Sequence, residues 1–200
     1  MNFREIGTPG VLVMIYMVVS RLAYAVGVGA ALWRQDHDQV FTRGRTVQEG
    51  FERFRQSASW VMNNDAVALV LVCVVTRDTL DVGAPGWVLV AIGLVLALVG
   101  GMIKIWARNT LGAKAYYWYN FFDPQPMQPL ERPGPYRYLD NPMYTVGYLP
   151  AYGLALVLAS WPGLVAAAFA QVAILGFHLV VEKPHYERLR PRPPAAHDSR

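Results

Sequence analysis

The chain predicts an all-α, polytopic integral membrane bundle of about five transmembrane helices, and three observations carry that prediction. Of its 200 residues, 54% are hydrophobic and only 16% are charged. Mean hydropathy is +0.24, and the apolar residues gather into five long runs rather than alternating. A chain of this length admits one helical bundle with its loops and leaves little room for a separate soluble catalytic domain. Any active site must then be built from the bundle and its loops.

The runs are Val11 to Trp33, Asn64 to Leu80, Gly86 to Ala107, Thr145 to Ser160 and Leu164 to Val181. Each approaches the roughly 17 to 25 residues a helix needs to span hydrocarbon, the fourth falling slightly short. In the first run, Val11 to Ser20 with Ala23-Tyr24-Ala25 resembles a signal peptide and cleavage site. Cleavage would leave the arginine-rich loop that follows outside the membrane, so a retained helix is preferred. Arg21 falls in mid-span, where an unpaired charge is expensive; it should face inward and pair with Asp65 or Asp78. Val47, Phe51, Phe54, Ala58 and Val61 recur at spacings of three and four, which predicts an amphipathic surface helix leading into the second run. The single cysteine, Cys73, excludes an intrachain disulfide and reads as helix packing. Five prolines between Pro124 and Pro135 predict an extended loop, and Trp161-Pro162-Gly163 predicts a tight turn making the last two runs a hairpin. From Pro191 the Pro- and Arg-rich end reads as a disordered tail. The expected organisation is an N-terminal transmembrane pair with its amphipathic loop helix (1–85), a core of three transmembrane helices and a loop (86–190), and the tail (191–200).

Basic residues alternate between loops. Arg34, Arg43, Arg45, Arg53 and Arg55 follow the first run, Lys104, Arg108, Lys114, Arg132 and Arg137 accompany the loop after the third, and Lys183, Arg188, Arg190, Arg192 and Arg200 end the chain. Positive loops are retained in the cytoplasm, so the N-terminus is expected outside and the C-terminus inside. The net charge of +4 sits in clusters beside apolar runs rather than along one soluble face, which favours anionic lipid headgroups over nucleic acid as the partner. The histidine spacing makes no metal site; His37 and His185 read as solvated. Ala-, Val- and Arg-rich usage points to a bacterial inner membrane rather than an endoplasmic reticulum.

Chemistry concentrates between Leu139 and Glu182. Leu139-Asp140-Asn141-Pro142-Met143-Tyr144 places an acid, an amide and a phenol at the mouth of a membrane helix, where polar groups are costly unless they bind something. Asp140 or Asn141 before Pro142 is also a helix-start signal, and cap and site are compatible. Gln171, His178 and Glu182, spaced by seven and four, form a polar stripe on the last helix that should face the bundle interior. Lys104 and Arg108, four apart, suit a lipid phosphate or a cofactor carboxylate, or else snorkelling at the helix end.

The 139–144 motif resembles that of phosphatidylethanolamine N-methyltransferases, within the wider phospholipid and isoprenylcysteine carboxyl methyltransferase superfamily. Gly153, Ala159-Ser160 and the Glu182-Lys183-Pro184 exit continue the resemblance over roughly the last 110 residues. Trp106 to Gly112 and Gly134-Pro135-Tyr136-Arg137-Tyr138 look more like the isoprenylcysteine branch. The resemblance implies that Asp140, Asn141, Pro142, Tyr144 and Glu182 line an S-adenosylmethionine pocket. The second glutamate of the family pair is Lys183 here, and of the family's glycine-x-glycine only Gly93 is kept, in Ala91-Ile92-Gly93.

Methyl transfer from a sulfonium is a direct displacement, so the protein must mainly align amine and methyl and exclude water. Sulfonium and methylated ammonium are both cations, which aromatic faces stabilise. Tyr116 to Tyr119, Tyr136, Tyr138, Tyr144 and Tyr148 supply such faces, although Trp and Tyr also gather at membrane interfaces for anchoring alone. The expected cofactor contacts are Gly93, Tyr136, Asn141, Pro142, Tyr144, His178 and Glu182. Lys104, Arg108 and Tyr148 are assigned to substrate. Asp140, Tyr144 and Glu182 are assigned to catalysis, Asp140 binding the ammonium and accepting its proton. The expected reaction is S-adenosylmethionine-dependent N-methylation of a phosphatidylethanolamine-type phospholipid at the cytoplasmic face. The alternatives are a superfamily enzyme acting on a prenylcysteine carboxylate or a thiol, and a catalytically silent membrane scaffold or transporter.

Overall fold

The computed structural model describes residues 6–124 and 134–189. The 191–200 tail and most of the proline-rich loop expected above lie outside these residues. Four helices are long and apolar enough to cross a membrane, and a shorter apolar one joins them. They are α1 (Gly7–Asp38), α2 (Val47–Val75), α3 (Gly86–Tyr116), α4 (Leu149–Val157) and α5 (Trp161–Leu189). The outward faces of α1 and α3 carry Leu12, Ile15, Val19, Leu94, Leu98 and Ile105, all exposed, as a lipid-facing surface requires.

Helix α2 is longer than expected. The amphipathic stretch and the second span form one continuous helix, because no Gly or Pro interrupts the chain from Phe51 to Val75. A capping box starts it: the Glu49 amide donates to Thr46 Oγ1 at 3.3 Å and the Thr46 amide to Glu49 Oε2 at 3.0 Å. The face read from spacing is buried at Phe51, Phe54 and Ala58, which join Tyr24, Val28, Leu32, Trp118, Phe121, Phe122, Ile174 and Phe177 in one hydrophobic core. That core unites residues from both sides of position 85.

The turn between the last two helices falls earlier than Trp161-Pro162-Gly163. Ser160 caps α5 by accepting from the Gly163 amide at 2.9 Å, and Pro162 occupies the first helical turn, where its missing N–H costs nothing. The reversal is made by Leu158, Ala159 and Ser160, with Ala159 at a left-handed φ of 46°. This turn docks on the end of α2: the Asp78 and Leu80 amides donate to the Leu158 and Ala159 carbonyls at 3.0 and 2.7 Å. Thr76 and Ser160 share a buried hydrogen bond of 2.7 Å. Those two turns mark one end of the bundle. Helix α4 packs on α3 through glycines so closely that a Cβ at Gly93 would lie 2.6 Å from the Gly153 carbonyl oxygen, and one at Gly153 would lie 2.5 Å from that of Gly93.

At the opposite end Asp36 accepts from Arg188 and bonds His185 Nδ1 at 2.9 Å, tying the end of α1 to the end of α5. His185, expected to be solvated, is only 2% exposed and stacks on Phe121 with ring centroids 3.7 Å apart. Its spacing from other polar residues gave no sign of a partner 149 positions away. Arg21, by contrast, makes one of the two expected pairs: it is ion-paired with Asp65, and Asp78 is exposed.

Candidate functional site

Glu182 is the centre of the site. It closes a five-residue π-helical turn, His178–Glu182, within α5, and is 6% exposed. One carboxylate oxygen accepts from the Trp118 indole N–H and from the Tyr144 hydroxyl at 2.7 Å; the other meets His178 Nδ1 at 2.6 Å. Local π-helical widening inside α-helices is frequent at functional sites, since it re-aims side chains without breaking the helix. Trp118 reaches Glu182 because α3 ends in a broken turn: Gly112 takes φ 80° and ψ 162°, and Trp118 itself is left-handed at φ 58°.

Tyr144 is held by the motif around it. Asn141 Oδ1 accepts from the Tyr144 amide at 3.2 Å, and the Asn141 carbonyl accepts from the Thr145 amide at 3.1 Å. Pro142 lies fully buried in the turn. Asn141 is therefore the cap of a short turn rather than of a long helix. Gln171 donates to the Tyr144 carbonyl at 3.1 Å and accepts from the Tyr152 hydroxyl at 2.7 Å. The stripe Gln171, His178, Glu182 thus grips Tyr144 through both backbone and side chain. Burial and the Glu182 carboxylate hold the Tyr144 phenol well above its usual range, so it stays a donor. The same two causes raise the Tyr136 phenol to about 12.

Beside Tyr144 and Trp118 opens a cavity of about 380 Å³. Tyr24, Tyr116, Tyr117 and Tyr148 supply aromatic walls, Lys104 stands on the α3 side, and Arg21 and Asp65 lie on the α1 and α2 side. This volume falls within the range of small-molecule sites.

Of the residues expected at the site, Tyr144, Glu182 and His178 are bonded together, and Tyr148 and Lys104 line the cavity. Asn141 and Pro142 shape the turn that carries Tyr144. Asp140 is exposed one residue before that turn and does not line the cavity. Arg108 is exposed and lies over the Tyr116 ring at 5.4 Å. Gly93 sits at the α3–α4 crossing. Lys183, where the family pair has its second glutamate, is 55% exposed and faces Glu187 at 4.0 Å, outside the Glu182 network. Sequence reasoning missed the bond from Trp118 to Glu182, because the left-handed residue that aims the indole has no sequence signature of its own, and it did not place Arg21 and Asp65 at the site.

Fold and site together define an integral membrane helical protein with a buried carboxylate and an aromatic cavity. The phospholipid methyltransferase family model matches residues 88–189, and the chain belongs to that family. It is 28% identical over 187 residues to a phosphatidylethanolamine N-methyltransferase of Chaetomium globosum, covering 89% of this chain and 20% of that protein. To proteins of the same name from Pyricularia oryzae and Botryotinia fuckeliana it is 34% and 32% identical over 153 and 154 residues, 70% of this chain and 15% of each relative. The chain thus spans about a fifth or less of the length of these curated relatives. No solved structure matches it.

Proposed function

We propose that this protein transfers a methyl group from S-adenosylmethionine to the amine of phosphatidylethanolamine or its methylated derivatives. The observation that carries the reading is the buried Glu182 carboxylate, held by an indole, a phenol and an imidazole beside an aromatic cavity. None of these three partners is an obligate cation. A carboxylate has capacity for about four hydrogen bonds and three are used among the described residues, so a further donor and a positive charge both fit here.

S-adenosylmethionine, when bound, supplies an electrophilic methyl on a sulfonium. Glu182, His178, Tyr144 and Tyr136 would hold its polar groups, with Trp118 and Tyr144 offering aromatic faces to the cation. The chain's own work is alignment and exclusion of water. Tyr144 is fixed through its amide, its carbonyl and its hydroxyl, and it stays protonated, so it cannot become a competing nucleophile. Asp140, exposed beside the Tyr144 turn, is suited to passing a proton to water rather than to gripping the amine.

The arginine-rich segments flank the end of the bundle that carries Glu182, which supports a cytoplasmic active site with lipid entering sideways from that leaflet. Residue usage supports a bacterial inner membrane, while the relatives named above are fungal.

The test is lipid mass spectrometry of a bacterial host that makes phosphatidylethanolamine but no phosphatidylcholine, with and without the protein. Mono-, di- or trimethylated phosphatidylethanolamine is expected with the wild type and absent with Glu182→Gln. An unchanged lipid profile from well-expressed protein that binds S-adenosylmethionine would overturn the phospholipid as acceptor.

A further inference from the structure

Two ionised side chains sit inside the bundle in a segment that the family model does not reach. Arg21 of α1 and Asp65 of α2 are each 4% exposed and form an ion pair. A buried pair of this kind is weak evidence for stability, since two apolar residues of similar size would serve the packing as well. Ionisable residues kept within a membrane bundle mark a site by default. The pair is also incomplete: Arg21 bonds through Nη2 and Asp65 through Oδ2, while Arg21 Nε and Asp65 Oδ1 are buried with no hydrogen-bond partner among the described residues.

Both residues line the cavity that also meets Tyr144 and Trp118, and Lys104 lines it from α3. A buried orphaned donor and a buried orphaned acceptor are both costly to keep unless a ligand pairs them. The ligand that pairs both carries an anionic oxygen and a cationic N–H in one short group. The aromatic rings agree with this, because Tyr24 and Tyr148 lie 5.2 and 5.9 Å from the Arg21 guanidinium and help keep it in place while its Nε stays unpartnered among the described residues. A rigid frame holds the pair in register: Tyr16 donates to Asn64 at 2.6 Å, and Asn64 donates to Ser20 at 2.7 Å, one residue from Asp65 and Arg21 respectively.

We infer that Arg21 and Asp65, with Lys104, form the recognition site for a zwitterionic phosphoethanolamine headgroup. The phosphodiester oxygens go to Arg21 Nε and Lys104, and the amine goes to Asp65 Oδ1. The zwitterion adds no net charge beside the neutral ion pair, and once the amine loses its proton Lys104 offsets the phosphodiester that remains. Asp65 and Lys104 lie near the cavity-side ends of their apolar runs, the depth at which a headgroup is drawn in from the leaflet. The inference rests on the phospholipid reading above and adds which residues choose the headgroup.

The experiment measures binding of dioctanoyl phosphatidylethanolamine and dioctanoyl phosphatidylglycerol to the full chain in detergent, by calorimetry. The wild type is expected to prefer the amine lipid at least 10-fold. Asp65→Asn should bring that ratio close to one, and Lys104→Gln should weaken both lipids. S-adenosylmethionine affinity is measured alongside and should be unchanged in both variants. If Asp65→Asn fails to fold, the exchange Arg21→Asp/Asp65→Arg restores the pair with reversed polarity and should lose the preference. A wild-type ratio in Asp65→Asn or in the exchanged variant overturns the headgroup site, whatever the methylation activity. A ratio that depends on Asp65 in a protein that transfers no methyl group leaves the headgroup site standing and removes the methyltransferase reading.

Discussion

Replacing Glu182 separates what the carboxylate does for the fold from what its charge does for the proposed cofactor. In Glu182→Ala the Trp118 indole and the Tyr144 hydroxyl lose their acceptor and His178 loses its partner, all in a region only 6% exposed at Glu182 itself. Unsatisfied buried groups cost about 1–3 kcal/mol each, and shared networks are not additive, so a total of about 3–5 kcal/mol is expected. For a domain of this size that lowers the unfolding midpoint by about 6–20 °C. Glu182→Gln keeps an acceptor for Trp118 and Tyr144 and turns an amide N–H toward His178, so most of that stability returns. The charge does not return. A hydrogen bond to a charged group is worth about 1.5–3 kcal/mol, so S-adenosylmethionine should bind about 10- to 150-fold more weakly. Thermal unfolding followed by Trp fluorescence and calorimetric titration with the cofactor, on the same detergent preparations, read the two effects separately. Wild-type cofactor affinity in a folded Glu182→Gln protein would refute the placement of the sulfonium cofactor at this carboxylate.

At the α3–α4 crossing, Gly153→Val should destabilise the protein by at least about 1–3 kcal/mol, because even its Cβ meets the Gly93 carbonyl oxygen at 2.5 Å; a lowered unfolding midpoint checks it. Ser160→Ala removes the α5 cap and the Thr76 bond and should cost about 1–2 kcal/mol in the same assay, with cofactor affinity unchanged. The raised Tyr136 and Tyr144 phenols are protonated in the fold at a pH where the unfolded chain ionises them. Their contribution is therefore complete below pH 10 and declines above it, for Tyr136 between 10 and about 12; Tyr136→Phe should flatten that alkaline loss in midpoint-against-pH curves. The segment 88–189 expressed alone should not bind S-adenosylmethionine measurably by calorimetry, since it leaves Trp118, Phe121, Ile174 and Phe177 without their cover from Tyr24, Val28, Phe51 and Phe54.

The apolar runs announced the helices because hydrocarbon imposes length and composition together, and the slightly short fourth run became the short helix α4. The spacing of Phe51, Phe54 and Ala58 gave their buried face for the same reason that any helical stripe does. Tyr144, His178 and Glu182 were legible as a group because two lie on one helix stripe and the third lies in a motif. What stayed hidden depends on pairing across long separations or on irregular backbone. His185 looked solvated because nothing local reveals Asp36, and Trp118 looked like any interfacial aromatic because its aim is set by the Gly112 break. The Trp161-Pro162-Gly163 turn was misplaced by reading Pro as a breaker where it is a starter, the two readings differing only in whether Ser160 caps.

Periodicity fails most where this site is built. The two π-helical segments, Ala23–Val28 in α1 and His178–Glu182 in α5, each insert an offset that a 3.6-residue pattern cannot anticipate. The helices that carry them meet beside the two segments: a Cβ on Gly29, just past the first, would lie 3.3 Å from Val181 and 3.4 Å from Phe177. The first segment carries Tyr24 into the cavity, and the second carries Glu182 to Tyr144 and Trp118. Relaxing either to a regular α-helix would rotate every residue beyond it by about 100°, taking Glu182 off its donors or shifting the end of α1 against α5. The widened turns therefore cost helix regularity at the two places where the N-terminal helices meet the segment that the family model matches. That cost is sustained because the cavity exists only between them: Arg21, Tyr24 and Asp65 come from one side of the boundary, and Lys104, Trp118 and Tyr144 from the other.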